Sequence, residues 1–125
     1  MAAVQTLNRE TLQIGGNDSI VIVKALADLP GGRTLDTSAF TGTTSTLHAG
    51  HVIYRLNDDY KPLEVSGTVY ASIPSGATLV GVLKEPILVS QGGAAIVTIG
   101  QVLEGALPYP VTDEIKDALP LIQFI

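Results

Sequence analysis

From Thr78 to Val102 the chain runs TLVGVLKEPILVSQGGAAIVTIGQV, and this stretch restricts the fold more than any other. Apolar residues occupy both phases of a two-residue alternation: Val80 and Val82 against Leu79 and Leu83, then Ala95, Val97 and Ile99 against Ala94, Ile96 and Thr98. A strand that is apolar on both faces has to be covered on both faces. The stretch therefore predicts two core strands, Thr78–Leu83 and Ala94–Ile99, joined as a hairpin. Between them lie a bend at Lys84-Glu85-Pro86, a short apolar run Ile87–Val89 and a turn at Gln91-Gly92-Gly93, where glycine supplies the positive φ of a tight reversal. The stretch carries almost nothing that could do chemistry.

The remainder of the 125 residues adds up to one domain of ordinary size. At 46% hydrophobic and 15% charged residues it is an ordered, core-forming chain. Thirteen glycines and seven prolines demand many turns and short strands. A net charge of −5 argues against nucleic acid, which selects a basic stripe, and against attraction to an anionic membrane. The lack of cysteine removes disulfides, thiolate nucleophiles and cysteine-based metal sites. The opening MAAVQTLNRE has neither the basic nor the apolar region of a signal peptide, and no apolar run approaches the ~20 residues of a membrane span. Synthesis in the cytoplasm is the expectation.

Residues 1–35 read as an extended N-terminal arm and residues 36–125 as a single β-rich domain. Within the arm, Ser19–Lys24 (SIVIVK) is the most β-prone short segment, with Gly15-Gly16-Asn17-Asp18 as a turn that would pair it with Thr11–Ile14; an ordinary first hairpin of the fold is the alternative. Ala25–Leu29 has weak helical character, stopped by Pro30-Gly31-Gly32. Residues 36–47 (DTSAFTGTTSTL) are rich in Thr and Ser and read as a loop or an irregular exposed strand. His51–Leu56 suits a half-exposed strand, Asn57-Asp58-Asp59 a turn, and Tyr60–Val65 a returning strand that Pro62 places at an edge. Thr68–Ile73 is a further strand, and Gln101–Leu107 reads as extended or irregular. One helix is predicted over 112–119: Thr112 caps it, Asp113 and Glu114 favour its first turn, Ile115, Ala118 and Leu119 form its stripe, and Pro120 ends it. Leu121–Ile125 is apolar enough to be a core strand or an interface. The fold class is mostly β (α+β), barrel- or sandwich-like, with one short C-terminal helix.

Few residues offer chemistry. His48 and His51 are the only histidines; on a strand their spacing points them to opposite faces, so they read as surface or turn residues, not metal ligands. Asp58-Asp59 with Glu64 could pair carboxylates for acid–base work, but Asn-Asp-Asp is first a turn signal. Gly31-Gly32-Arg33-Thr34 looks superficially like a phosphate loop, yet lacks the lysine and the following helix. No serine elbow occurs. No catalytic residue, metal ligand or cofactor is expected.

One resemblance remains. Gly50-His51-Val52-Ile53-Tyr54, Tyr60-Lys61-Pro62-Leu63, Gly81-Val82-Leu83, Ala95–Gly100 with Val102, and the apolar Leu121–Ile125 follow one another in an order that resembles phage head decoration (auxiliary capsid, capsid-stabilising) proteins of the lambda-head type, over roughly the C-terminal three-fifths of the chain. The resemblance implies a non-enzymatic virion protein, a homotrimer at threefold positions on the outer capsid surface, bound to the major capsid protein. On that expectation Ile20, Val21, Ile22 and Val23 supply capsid contacts, and Pro108, Tyr109, Leu121, Phe124 and Ile125 supply the oligomer interface. No nucleic acid, membrane or small-molecule substrate is expected. Two rivals stand beside it: a fibre or appendage module binding a glycan or receptor through Asp36–Thr46, and a small β-fold enzyme using His48, His51 and Asp58.

Overall fold

The structure, a computed structural model, describes residues 20–38, 40, 46–90 and 93–125. Strand β1 (Ile22–Asp28) is followed, past the Pro30-Gly31-Gly32 turn, by β2 (Arg33–Thr34) and then β3 (Thr46–Leu47). A hairpin of β4 (Val52–Leu56) and β5 (Asp59–Pro62) precedes a very short one of β6 (Val65–Ser66) and β7 (Val69–Tyr70). Next come β8 (Thr78–Leu83), β9 (Ile87–Leu88), β10 (Gly93–Ala94) and β11 (Ile96–Val102). A 3-10 turn at Glu104–Ala106, the helix α1 (Asp113–Ala118) and β12 (Ile122–Phe124) complete the chain. The protein is thus mostly β with one short helix towards the C-terminus.

The main sheet has six strands in the order β1-β11-β8-β4-β5, with β12 paired to β11. Every pairing in it is antiparallel except β11 with β12, which is parallel. The sheet is open, not closed into a barrel, and β1 and β5 stand at its two ends. Beside it lie three two-stranded ladders: β2 with β10, β3 with β9, and β6 with β7.

The two-sided apolar pattern of β8 and β11 is explained by a core on each face. On one face Val52, Tyr54, Leu79, Val82, Val97 and Val102 pack with residues of β6, β7, the 3-10 turn, α1 and β12, including Val65, Tyr70, Ala106, Ile115 and Ile122. On the other, Ile53, Leu83 and Ile96 pack with Leu35, Leu47 and Ala94, beneath the β2–β10 and β3–β9 ladders. Each fully buried aliphatic side chain in these clusters contributes about 2 kcal/mol of transfer free energy. Gly81 and Gly100 are glycine because of close approach: a Cβ on Gly81 would strike the Val97 carbonyl, and one on Gly100 the Lys24 carbonyl.

Several local expectations change. β8 and β11 do pair, through Leu83↔Ile96 and Val82↔Val97, but they are not a simple hairpin. The chain between them leaves the sheet so that β9 and β10 can pair with β3 and β2. The Gln91-Gly92 part of the expected turn lies outside the described residues, as do Thr11–Ile14 and Gly15-Gly16-Asn17-Asp18. Ala25–Leu29 is not helical: β1 runs to Asp28, because a ladder with β11 outweighs the weak helix preference of Ala and Leu. Seven residues of the expected arm, Ile22–Asp28, are therefore an end strand of the main sheet. β4 is not half-exposed: Val52, Ile53 and Tyr54 are all buried, since both faces of the sheet are covered there. The strand expected over Thr68–Ile73 shrinks to Val69–Tyr70, and the return from Tyr60 ends at Pro62, on the end strand β5. The helix forms as its signals dictate. Thr112 Oγ1 accepts from the Ile115 N–H at 3.3 Å, and Ile115 and Leu119 are buried, although Ala118 is exposed.

Candidate interaction surface

β1 borders the sheet, and its ladder to β11 is interrupted three times, the last between Ala27 and Asp28. Register shifts between Ile22 and Lys24 and between Ala25 and Ala27 leave Val23 and Leu26 as the extra residues of bulges. Val23 is 48% exposed, Leu26 61% and the preceding Ile20 49%. Among the described residues no strand pairs with the outer side of β1. An end strand whose backbone groups are unpaired, and whose side chains are apolar and exposed, is a ready site for pairing with another chain.

β12 lies along the opposite side of β11, with Gly100↔Ile122, Gln101↔Gln123 and Val102↔Phe124 in register. Ile122 is buried and Phe124 packs partly against the same core, so alternation turns Leu121, Gln123 and Ile125 outwards. Leu121 and Ile125 are exposed, and Gln101 Nε2 donates to Gln123 Oε1 at 2.8 Å. β11 thus carries the two apolar segments singled out in the sequence, one on each of its edges.

The residues proposed from the sequence divide between surface and core. Ile20 and Val23 are exposed, Ile22 packs partly against the core, and Val21 is buried at 1% exposure. A Cβ on Gly50 would lie 2.6 Å from Val21 Cγ1, which shows how closely Val21 is held. Leu121 and Ile125 are exposed, whereas Phe124 and Tyr109 are partly buried against the core. Pro108 is partly buried too, near Gly50. Leu26 is the surface residue that sequence reasoning missed; it fell in the segment read as weakly helical.

His51 is not at the surface. It is 1% exposed, with its ring edge-on to Phe40 (5.5 Å between centroids), Tyr70 (5.3 Å) and Tyr109 (5.7 Å). Its Nε2 lies 2.9 Å from the Leu63 carbonyl. A carbonyl can only accept, so Nε2 carries the proton of a neutral ring. Burial pushes this imidazole down to about 4; the Leu63 bond opposes that shift and the nearby His48 adds to it. The Tyr70 hydroxyl accepts from the Val52 N–H at 3.1 Å, and burial raises that phenol well above its usual range. The apolar run after Gly50 was the signal that His51 opens a buried strand.

The other candidates remain apart. Asp58 and Asp59 sit exposed at the tip of the β4–β5 hairpin, where Asn57 adopts a positive φ of 58°. Among the described residues no group of three or more His, Cys, Asp or Glu is placed to hold a metal ion. Of the Asp36–Thr46 loop, residue 39 and residues 41–45 lie outside the described residues. In the remainder, Asp36 Oδ1 accepts from the Ser38 N–H (3.1 Å) and hydroxyl (2.6 Å), and the Thr37 hydroxyl donates to the Val89 carbonyl at 2.8 Å. The Ser38 hydroxyl thus satisfies a local partner, while the Thr37 hydroxyl ties this segment to the distant Val89. Comparison with protein-family models, with curated proteins and with solved structures finds no match to this chain.

Proposed function

We propose that this chain is a structural virion protein that binds the outside of a phage capsid and stabilises the shell. It acts as a homotrimer at threefold positions, with the major capsid protein as partner and no enzymatic step. It is made in the host cytoplasm and ends on the outer surface of the virion. The observation that carries this reading is β1: an end strand with one side unpaired among the described residues, and with exposed Ile20, Val23 and Leu26. Strand addition along that side would supply main-chain hydrogen bonds, and the apolar side chains would supply burial. Leu121 and Ile125, across β11, are free to serve a symmetric contact between copies. The order of motifs that resembles head decoration proteins supports the same reading.

The test is direct. Purified protein is mixed with empty expanded capsids and sedimented, and its mass in solution is measured by light scattering. Trimers that co-sediment with the shells agree with the proposal; monomers that remain in the supernatant reject it. Deleting residues 1–24 would also remove Val21 from the core, so substitutions at Val23 and Leu26 separate attachment from folding.

A further inference from the structure

The Gly-Gly-Arg-Thr segment has a role that the capsid reading does not use. Gly31 and Gly32 take φ of 74° and 69°, and a Cβ on Gly32 would lie 2.6 Å from the Ala94 carbonyl oxygen. This turn delivers Arg33 with its guanidinium already fixed: Nη1 donates to the Pro30 carbonyl at 3.0 Å and the Gly32 carbonyl at 2.6 Å. The chain then runs beside β5, with a parallel bridge between Leu35 and Tyr60 and the Asp36 N–H donating to the Tyr60 carbonyl at 2.8 Å. Arg33 Cζ consequently lies 5.3 Å from the centre of the Tyr60 ring. Arg55 is the direct cross-strand partner of Tyr60 and is exposed. Two guanidiniums converge on one phenol, and both hold that phenol below its usual range, Arg33 most strongly through a hydrogen bond.

The chain has 12 acidic side chains against seven basic ones, so a cation here has acids to choose from. Lys61 pairs with Asp36, Lys84 with Asp28 and Lys116 with Glu104. Among the described residues neither Arg33 nor Arg55 joins an ion pair. Two like charges are thus held close on the surface with no carboxylate between them. Beyond the bonds on Nη1 and those to the Tyr60 oxygen, both guanidiniums keep further N–H donors, and the Tyr60 hydroxyl keeps its own proton to donate. Planar guanidinium forks match a planar carboxylate. A nucleic acid would bring one charge per ~1.7 Å against a protein of net charge −5, and a single half-buried tyrosine gives it little to stack on.

We propose that Arg33, Arg55 and the Tyr60 hydroxyl form a binding site for a carboxylate on an acidic segment of a partner protein. The site stands whether or not that partner is a coat protein. Its test uses the full chain, isotope-labelled, titrated with a hexaglutamate peptide and followed by NMR at constant ionic strength. Saturable shifts confined to residues 33–36 and to β4 and β5 are expected. Arg55→Gln should weaken binding about tenfold, Arg55→Lys should restore only part of it, and Lys24→Gln should leave it unchanged. Arg55→Gln is the main variant because Arg33 also holds its own turn together. Three results would each overturn the proposal: shifts that do not saturate, equal weakening by Lys24→Gln, or tighter binding of an oligothymidylate of the same length.

Discussion

Acid should destabilise this domain through His51, by an amount the structure sets. The ring is neutral in the fold because burial holds it down to about 4 from an ordinary 6.5. The unfolded chain binds a proton at 6.5, whereas the folded chain resists until about pH 4. The unfolded state therefore holds more protons between those values, and stability falls as pH falls through that window. The contribution is fully present above pH 6.5 and gone by pH 4, and it amounts to about 3 kcal/mol. That is a large share of the 5–15 kcal/mol typical of a domain. Urea unfolding at half-unit pH steps from 7.5 to 4.0 reads it, with His51→Gln as the reference. The difference between wild type and variant should shrink by about 3 kcal/mol across the window, whatever the absolute stability of the variant. A difference that stays flat, or a ring that titrates near 6.5 by NMR, refutes the account of a desolvated neutral imidazole.

Three further outcomes follow from particular contacts. Gly81→Ala should lower stability by about 2 kcal/mol or more in urea, because its Cβ meets the Val97 carbonyl at the β8–β11 junction; an unchanged midpoint would mean the strands move apart freely. Thr112→Ala should cost about 1 kcal/mol, since the Ile115 N–H loses its cap, and Thr112→Ser should recover most of that by thermal unfolding. Val23→Lys and Leu26→Lys, at bulged and exposed positions, should leave stability within about 0.5 kcal/mol yet abolish co-sedimentation with expanded capsids. Attachment that survives both substitutions would remove β1 from the docking surface.

What the sequence revealed, and what it hid, follows from the range of the forces involved. The extent of β8, the Thr112 cap, the position of Pro62 on an end strand and the apolar last segment were all written in neighbouring residues. Local pattern also said correctly that β8 and β11 need cover on both faces, because alternation records burial directly. It could not say which segments provide the cover. β2, β3, β9 and β10 are two-residue strands, too short to leave a period, and they exist only through their partners. The Ala25–Leu29 segment was misread because Ala and Leu carry a helix preference that only a distant strand overrules. His51 looked like a turn residue because the aromatic rings around it come from residues 40, 70 and 109. The Arg33–Tyr60 contact was invisible for the same reason.

The placement of β11 has a kinetic consequence. β11 receives β1 on one side, and β8 and then β12 on the other. The Thr98 hydroxyl bonds to the Ala27 carbonyl across 71 residues of chain. β1 cannot form its ladder until that long loop has closed, and the entropy is lost before any pairing repays it. A fold dominated by such distant pairings forms on the order of milliseconds to seconds, slower than a helical bundle of the same length. During that interval β11, apolar in most positions, stands with open sides, so a freshly made chain is most prone to stick to its neighbours before β1 and β12 have arrived.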